Sequence, residues 1–325
     1  MQGAPTEADQ EFFQRELSTF VPDRIYDAHC HLWHIKRSSH TNSAIPNVGD
    51  YDTFREQIDW LHPGRDVAAN FIPFPDTRDR MPQANEWIAK ETARDPRCRG
   101  EFFVQPEHDP EWVRQEVRRL KLHGLKCYHT MSNVNPTWNA DIPAYLPEPI
   151  IKVAHEEGWH ITLHMVKARS CADPGNIHWI RHYCKTYPGM KLILAHSARG
   201  FQPAHNFEGL PQLKGLDNLY FDTSANCEPM AHASIIKIIG HDKLLYGADY
   251  FISHERGRSV AAGDSFVWLY EETPVWGEKH QRIQPVFVGL EHLRSLKWAC
   301  WSLGLKDSQV EDIFWNNAAR LFEVK

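Results

Sequence analysis

Short apolar segments alternate with longer amphipathic segments along most of the chain. Eight of the short segments are rich in β-branched and aromatic residues, a composition that is typical of buried strands. They are RIYDAHCH from Arg24, DVAANFI from Asp66, CRGEFFVQ from Cys98, GLKCYH from Gly124, WHITLHM from Trp159, KLILAHS from Lys191, NLYFDTS from Asn218 and KLLYGAD from Lys243. This repeated order of strand and helix predicts an α/β fold.

The segments between the strands carry helix start and stop signals. In DPEWVRQEVRRLKLHG, Asp109 is a candidate N-cap, and in EPIIKVAHEEG, Pro149 stands in the first turn and Gly158 follows the last. Eight such units in 325 residues favour a closed (β/α)₈ TIM barrel. An open doubly wound sheet stays an alternative, because periodicity does not show closure. A nucleotide-binding fold is not favoured, since the chain lacks both common glycine-rich phosphate loops.

Residues 24–325 are predicted to form one barrel domain, and residues 1–23 an extra N-terminal helix packed outside it. Thr6 and Asp9 can form a capping box at the start of that helix. Two connections, residues 34–50 and about 250–284, are longer than ordinary loops of this fold. The second is too apolar for a disordered linker, so we expect it to cover the barrel mouth or to contact a second copy in a homodimer.

Composition and charge narrow the classes of partner. The net charge is −6 and the chain has no basic run, which argues against nucleic-acid binding. No stretch approaches 18 uninterrupted apolar residues, and the first residues are acidic and amphipathic, so neither a membrane span nor an export signal is predicted. Seven widely spaced cysteines without a CxxC pair favour the reducing cytoplasm. A small molecule is the expected partner.

Five side chains with metal-ligating chemistry are predicted to meet at one end of the barrel. His29 and His31 share a face of the first strand, because successive side chains of a strand alternate. His164, His196 and Asp249 end the fifth, sixth and eighth predicted strands, where barrel enzymes carry their active sites. One such residue alone is more ordinarily a hydrogen-bonded rim residue or a helix cap. Together they form a nitrogen and oxygen donor set that suits Zn²⁺ or Mn²⁺.

The same residues carry a family resemblance. DAHCHLW, LLYGAD and VEDIFWNNAARLFEV, with the histidines at the ends of the fifth and sixth strands, resemble the amidohydrolase superfamily over residues 24–323. The similarity is to the amidohydrolase-related branch, which includes aminocarboxymuconate-semialdehyde decarboxylase, aromatic-acid decarboxylases and lactonases. The resemblance implies one divalent ion, Zn²⁺ first and Mn²⁺ as the alternative, held by His29, His31, His164 and Asp249. It also implies His196 beside the ion as an acid/base or carbonyl-polarising group.

The resemblance leaves the reaction open between hydrolysis and decarboxylation. Many decarboxylases of this branch carry Glu-x-His where this chain has His-x-His, so hydrolysis is favoured. We expect a metal-activated water to attack an amide, imine or lactone carbonyl of a small carboxylate-bearing substrate. Asp249 would take the proton while His196 stabilises the oxyanion. The alternatives are a nonoxidative decarboxylase or hydratase of a small aromatic or unsaturated acid, and a catalytically silent metal-binding barrel.

Lys126 on the fourth strand bears on the number of metal ions. In binuclear relatives a lysine at this position is carboxylated and bridges two ions, although the mononuclear branch also commonly has Gly-x-Lys. The other interpretation is an ion pair between Lys126 and an interior acid such as Asp222. One ion is favoured. Asp27 lies deeper on the face of the two strand-1 histidines, where it is a candidate to support them by hydrogen bonding.

Candidate substrate-binding residues lie near the predicted strand ends. Arg199 follows the sixth strand, where its guanidinium can clamp a carboxylate or make an ordinary surface salt bridge. Arg169 and His129 are weaker candidates of the same kind. Trp33 directly follows the histidine pair and is placed either to line the pocket or to pack in the core.

Overall fold

The computed structural model of the protein describes residues 3–35, 46–74, 77–273 and 284–324. Eight parallel strands follow one another in chain order, so the predicted (β/α)₈ TIM barrel is confirmed. The strands are β1 Arg24–Leu32, β2 Asp66–Pro73, β3 Arg99–Phe103, β4 Gly124–Tyr128, β5 His160–His164, β6 Lys191–Leu194, β7 Leu219–Asp222 and β8 Leu244–Leu245.

The strands are buried on both faces, which explains why they are nearly continuous apolar runs in the sequence. Every residue of β5 is buried, and in β1 only Arg24 is exposed. Parallel pairing sets Tyr128 of β4 opposite His164 of β5, so the ends of neighbouring strands meet at the same edge. That edge carries the predicted functional residues.

The barrel closes where β1 meets the segment that follows β8. The Ala28 N–H donates to the Tyr246 carbonyl at 2.8 Å, and the Asp249 N–H donates to the His29 carbonyl at 2.8 Å. Gly247 permits this approach, because a Cβ there would lie 2.9 Å from the His29 Cβ. The closure therefore brings Asp249 directly beside a histidine of β1.

The helices lie before the first strand, between the strands and after the last of them. They are α1 Glu7–Phe12, α2 Tyr51–Leu61, α3 Met81–Thr92, α4 Pro110–Arg119, α5 Glu148–Glu157, α6 Pro174–Thr186, α7 Pro203–Leu213, α8 Pro229–Ile238, α9 Val288–Ser302, α10 Asp307–Glu311 and α11 Asn317–Leu321. π-Helical turns follow α1 and α10 over Phe13–Leu17 and Asp312–Asn316. Within the described ranges, none of the helices combines the length and apolarity that a membrane crossing requires.

The predicted helix boundaries have the expected caps. Asp109 accepts the Trp112 N–H at 2.8 Å at the start of α4, and Gly158 ends α5 with φ 72°. Thr6 and Asp9 form the predicted capping box of α1. Asp9 also accepts a hydrogen bond from the Arg256 guanidinium at 2.7 Å, which ties the N-terminal helix to the long excursion after β8.

The excursion after β8 contains an antiparallel hairpin, β9 Gly257–Ala262 and β10 Ser265–Tyr270. Phe266 of β10 stacks on Phe201 with ring centroids 4.4 Å apart, and His205 contacts Asp264 at 2.9 Å. The hairpin therefore packs on the connection after β6 and on the start of α7. Residues 274–283 of this excursion, and residues 36–45 of the other long connection, lie outside the described residues.

Candidate metal centre

Three buried side chains converge where the barrel closes. The Nε2 atoms of His29 and His31 are 3.3 Å apart, and Oδ1 of Asp249 lies 3.4 Å from His31 Nε2 and 3.9 Å from His29 Nε2. In the described part of the chain, this is the one group of three or more histidine, cysteine or acidic residues whose ligand atoms lie close enough to share an ion.

The spacing of these atoms fits a divalent cation. Ligand atoms held at about 2.1 Å from one tetrahedral ion lie about 3.4 Å from each other. The three observed separations are close to that value, and imidazole nitrogen with carboxylate oxygen is a donor set that suits Zn²⁺ or Mn²⁺. These residues can therefore hold a metal ion.

Asp222 orients His29. Its Oδ2 lies 2.9 Å from His29 Nδ1, and both side chains are fully buried. Burial by itself raises the pKa of the Asp222 carboxyl, but the adjacent His29 and the hydrogen bonds from His29 and Ser224 hold that pKa well below its usual value. The carboxylate accepts a hydrogen bond from Nδ1–H, so the unprotonated Nε2 is available to bind a metal, an arrangement common behind metal-ligating histidines.

Asp27 does not contact the histidine rings as the supporting carboxylate. Its Oδ1 accepts the backbone N–H groups of His29 at 3.0 Å and Ala248 at 2.9 Å. Burial raises the pKa of Asp27 to about 7, although these backbone hydrogen bonds oppose the shift. Asp27 thus stabilises the barrel closure, and Asp222, the last residue of β7, takes the supporting role that the sequence predicts for Asp27. The strand-end rule applied to β7 would have found it.

His164 lies beside His196 and is not part of the close group of His29, His31 and Asp249. Its ring centroid is 5.0 Å from that of His196, and its Nε2 is 3.4 Å from the Tyr128 hydroxyl. Its Nδ1 is buried without a hydrogen-bond partner among the described residues. Burial, and next the charge of His196, lower the pKa of His164 well below its usual value. The ring is therefore neutral at pH 7, the form of histidine that binds metals.

His196 lies beyond the end of its strand. β6 ends at Leu194, and the next residues from His196 to Arg199 have φ of 59°, 53°, 59° and 53°; we call these four residues the left-handed turn. His196 Nδ1 is 3.0 Å from the Ser224 carbonyl and 3.9 Å from Asp249 Oδ2. Because a carbonyl accepts but cannot donate, Nδ1 carries the proton and Nε2 is an acceptor in the neutral ring. Burial lowers the pKa of His196 to about 4.

Asp249 also lies beyond the end of its strand, although the predicted strand includes it. β8 ends at Leu245, and Asp249 has φ 61°. The predictions that His196 and Asp249 end strands 6 and 8 are therefore wrong in detail. A residue with positive φ cannot continue a strand ladder, and such strained residues concentrate at functional sites.

Lys126 is fully buried beneath the cluster, with Nζ 3.4 Å from His29 Nε2. Burial lowers its pKa, and the negative charges of Glu101 and Asp222 oppose the shift. Over residues 77–273, which contain both side chains, no ion pair joins Lys126 to Asp222, since the carboxylate is paired with His29. The interpretation of Lys126 as the ion-pair partner of Asp222 is therefore not supported, and its role as a bridge between two metals stays a prediction.

Arg199 ends the left-handed turn at the barrel mouth. Its guanidinium carbon lies 5.0 Å from the Trp138 ring centroid and 5.9 Å from that of Phe266, and among the described residues no carboxylate pairs with it. It lines a cavity of about 240 Å³ together with Trp138, Lys167, His205 and Phe266. The cationic arginine thus faces a cavity with two aromatic walls.

His129 lies next to this arginine. It stacks on Trp138 with ring centroids 4.3 Å apart and lies 5.8 Å from His164. Burial, and next the charge of Arg199, lower the pKa of His129 to about 4. His129 therefore connects the aromatic wall of the cavity to the candidate metal ligands as a neutral ring.

The other two substrate-binding candidates have ordinary structural partners. Arg169 is exposed and pairs with Glu208 of α7. Trp33 is buried, stacks on Tyr250 at 5.5 Å and donates its indole N–H to the Pro46 carbonyl at 3.1 Å. These placements favour a surface ion pair for Arg169 and a packing role for Trp33.

Residues 26–324 match the family model described as Amidohydrolase. The chain belongs to the amidohydrolase family. Amidohydrolases of this kind are metal-dependent enzymes that act on small molecules, so the converged donor set lies in an enzyme of that superfamily. No curated protein matches the chain in sequence.

Solved structures of other amidohydrolases share the fold. A proposed 2-pyrone-4,6-dicarboxylic acid hydrolase from Pseudomonas putida is 17% identical with a TM-score of 0.58, over 94% of this chain and 99% of that one. The 4-oxalomesaconate hydratase from Rhodopseudomonas palustris is 15% identical with a TM-score of 0.59, over 92% and 95%. A dihydroxybenzoic acid decarboxylase from Polaromonas sp. JS666, with bound manganese, is 16% identical with a TM-score of 0.52, over 93% and 97%. At these identities the likeness shows the fold alone.

Proposed function

We propose that this amidohydrolase is a metal-dependent hydrolase of an amide, imine or lactone carbonyl in a small carboxylate-bearing molecule. The observation that carries the proposal is the convergence of His29, His31 and Asp249, with their ligand atoms at the spacing that one cation requires. A divalent ion bound there supplies a Lewis acid that lowers the pKa of water toward neutrality.

The ligands proposed are His29, His31 and Asp249, with His164 completing the set. Zn²⁺ is the first choice, and Mn²⁺ is the alternative because both ions accept imidazole and carboxylate ligands. The bound manganese in one structural neighbour supports keeping that alternative. His164 is suited to the fourth place because its buried Nδ1 has no hydrogen-bond partner among the described residues.

Asp249 and His196 are proposed to handle the proton. The carboxylate of Asp249 lies within 3.9 Å of His196 Nδ1, so both groups border the same space. His196 donates from Nδ1 to the Ser224 carbonyl, which leaves Nε2 as a proton acceptor in the neutral ring. This tautomer favours the acid/base role over polarisation of a carbonyl, because polarisation needs a proton on Nε2.

Arg199 is proposed to bind the carboxylate of the substrate. Its planar guanidinium can form two parallel hydrogen bonds to a carboxylate. Stacking on Trp138 holds the guanidinium in place, and burial lowers its pKa, which indicates that the charge is poorly solvated. A bound carboxylate would supply the missing countercharge.

The decisive experiment pairs metal analysis with a substrate panel. The double variant His29→Ala and His31→Ala should lose its bound metal in elemental analysis, whereas His178→Ala, on the exposed face of α6, should retain it. Purified enzyme is then tested on lactones, amides and imines of small acids, with ¹⁸O-water incorporation and released CO₂ as readouts. Unchanged metal in the double variant contradicts the site. Release of CO₂, or addition of water without bond cleavage, identifies the decarboxylase or hydratase alternative.

The domain organisation, the oligomeric state and the location of the protein are also proposed. We assign residues 24–325 to one barrel domain and residues 1–23 to an outer helical addition, supported by the contact between Asp9 and Arg256. A homodimer is kept as a proposal because the hairpin after β8 exposes apolar residues such as Val267. A cytoplasmic location is supported by seven free, buried cysteines.

A further inference from the structure

The left-handed turn carries two of the proposed functional residues, His196 and Arg199, and it needs external support. All four of its residues have a Cβ, and each has φ between 53° and 59°. Residues with a Cβ disfavour this region, and consecutive ones do so repeatedly. The conformation therefore depends on the groups that surround it.

Buried polar side chains hold the backbone of the turn. Asn226 Nδ2 donates to the His196 carbonyl at 3.1 Å, and Asn206 Nδ2 donates to the Ser197 carbonyl at 2.9 Å. The His196 N–H donates to Asp222 Oδ1 at 3.0 Å. All of these side chains are fully buried, so water does not compete for the carbonyls.

His232 of α8 joins these contacts. Its Nε2 lies 3.0 Å from the Asn226 carbonyl, so Nε2 is the protonated nitrogen, and its Nδ1 accepts the Ser197 hydroxyl at 2.8 Å. Ser295 Oγ of α9 lies 3.0 Å from the same Nε2. The fully buried imidazole of His232 thus connects the Ser197 side chain to the loop that contains Asn226. Asn226 in turn holds the backbone of the left-handed turn.

We propose that His232 is a positioning residue that holds the left-handed turn, and through it sets the places of His196 and Arg199 together. The inference rests on the proposed function only for the roles of those two residues. His232 touches none of the proposed metal ligands in the described structure. Its loss should therefore change turnover and carboxylate binding together while the metal stays bound.

The test uses three substitutions that divide the two contacts of the imidazole. His232→Phe removes both. His232→Asn places an amide near the Nδ1 position and keeps the contact with Ser197, while His232→Gln places one near Nε2 and keeps the contact with Asn226. His292→Phe is the matched control, because His292 is equally buried 5.6 Å from His232, and neither of its ring nitrogens has a hydrogen-bond partner among the described residues.

The first readout is independent of activity. Hydrogen exchange of peptides covering residues 195–202 should be at least about tenfold faster in His232→Phe than in the wild type and in His292→Phe. With a substrate in hand, kcat should fall and KM should rise in His232→Phe at unchanged metal content. His232→Asn should restore slow exchange, since the contact with Ser197 touches the turn directly, and His232→Gln should restore less.

The outcomes separate this inference from the proposed function. A folded His232→Phe protein with wild-type exchange over residues 195–202 overturns the positioning role, whatever the reaction is. If His232→Phe does not fold, equal exchange in His232→Asn and His232→Gln overturns it instead. Loss of metal from the His29 and His31 double variant together with slow exchange in His232→Phe would leave the proposed function standing and remove only the positioning role.

Discussion

The imidazole of His29 has two nitrogens with different partners. Nδ1 faces the Asp222 carboxylate at 2.9 Å, and Nε2 faces His31 and Asp249. The affinity of the proposed site for a metal ion therefore depends on the Asp222 carboxylate, which is not itself a proposed ligand.

We predict that Asp222→Asn weakens metal retention about 10- to 100-fold, because a neutral amide oxygen accepts the hydrogen bond from Nδ1–H more weakly than a carboxylate does. Metal affinity is measured by competition with a chelator of known affinity. Asp264→Asn, an exposed change on the hairpin, is the control and should retain wild-type affinity. Equal affinities in the two variants would show that Asp222 does not orient a ligand.

The second prediction concerns His196. His196→Asn should lower kcat by about 10² or more while metal content stays unchanged, because a group that acts mainly in the transition state affects turnover and not metal retention. Steady-state kinetics and elemental analysis on the same preparation measure kcat and metal content. Near-normal kcat would make His196 a rim residue, and loss of the metal would make it a ligand.

At the residue scale, the sequence predicts the position of a side chain where that position follows from the alternation of side chains between the two faces of a strand. His29 and His31 were expected on one face of β1, and their Nε2 atoms meet at 3.3 Å. Arg169 shows the limit, since its long side chain pairs with Glu208 from a later helix. Which carboxylate a flexible arginine reaches depends on packing between elements that no local pattern contains.

At the scale of elements, the hairpin after β8 contributes a wall to the mouth of the barrel. Phe266 stacks on Phe201 at 4.4 Å and lies 5.9 Å from the Arg199 guanidinium carbon. Val267, the next residue, is exposed. The two residues therefore offer a matched pair of substitutions on one strand.

We predict that Phe266→Ala loosens the hairpin, since an aromatic pair contributes about 0.5–1.5 kcal/mol beyond its buried area. Proteolysis within residues 257–270 should become faster, and KM for a carboxylate substrate should rise as the cavity opens. Val267→Ala should change neither property. Identical cleavage rates for both variants would show that the stack with Phe201 does not hold the hairpin.

Strand beginnings were predicted more accurately than strand ends. KLILAHS reads as one apolar run, yet β6 ends at Leu194 because the chain enters the left-handed turn. The same occurs after β8, where Asp249 has a positive φ. Hydrophobic periodicity indicates which residues are buried, and the residues directly after these strand ends are buried too. The sequence pattern therefore does not show where the backbone leaves the strand.

At the scale of the whole molecule, buried neutral histidines couple folding to pH. Burial lowers the pKa of His62 to about 3 and that of His232 to about 4, and both rings are fully buried. The unfolded chain binds a proton at each near pH 6.5, whereas the folded chain does not until a lower pH. The unfolded state therefore binds more protons in this window, and stability falls as the pH falls from about 6.5 towards 4.

We predict that each such histidine removes about 3 kcal/mol of stability by pH 4, because pH 4 lies about 2.5 units below the pKa of the unfolded histidine. His62→Gln should flatten the dependence of unfolding free energy on pH between 6.5 and 4, while His178→Gln on the protein surface should not. Urea unfolding at several pH values, with chelator present to remove metal effects, measures the slope. Parallel curves for wild type and His62→Gln would contradict the prediction.

The closure of the barrel also sets an order of events during synthesis. The hydrogen bond from the Ala248 N–H to Asp27 joins residues 221 positions apart. A ribosome that adds about 5–20 residues per second needs roughly 10–45 s to make that stretch. Throughout this interval β1 has an unpaired edge, a surface that invites misassociation. The free edge of β1 is therefore covered only once residue 248 has been made, and His29 and His31 meet Asp249 only after that point.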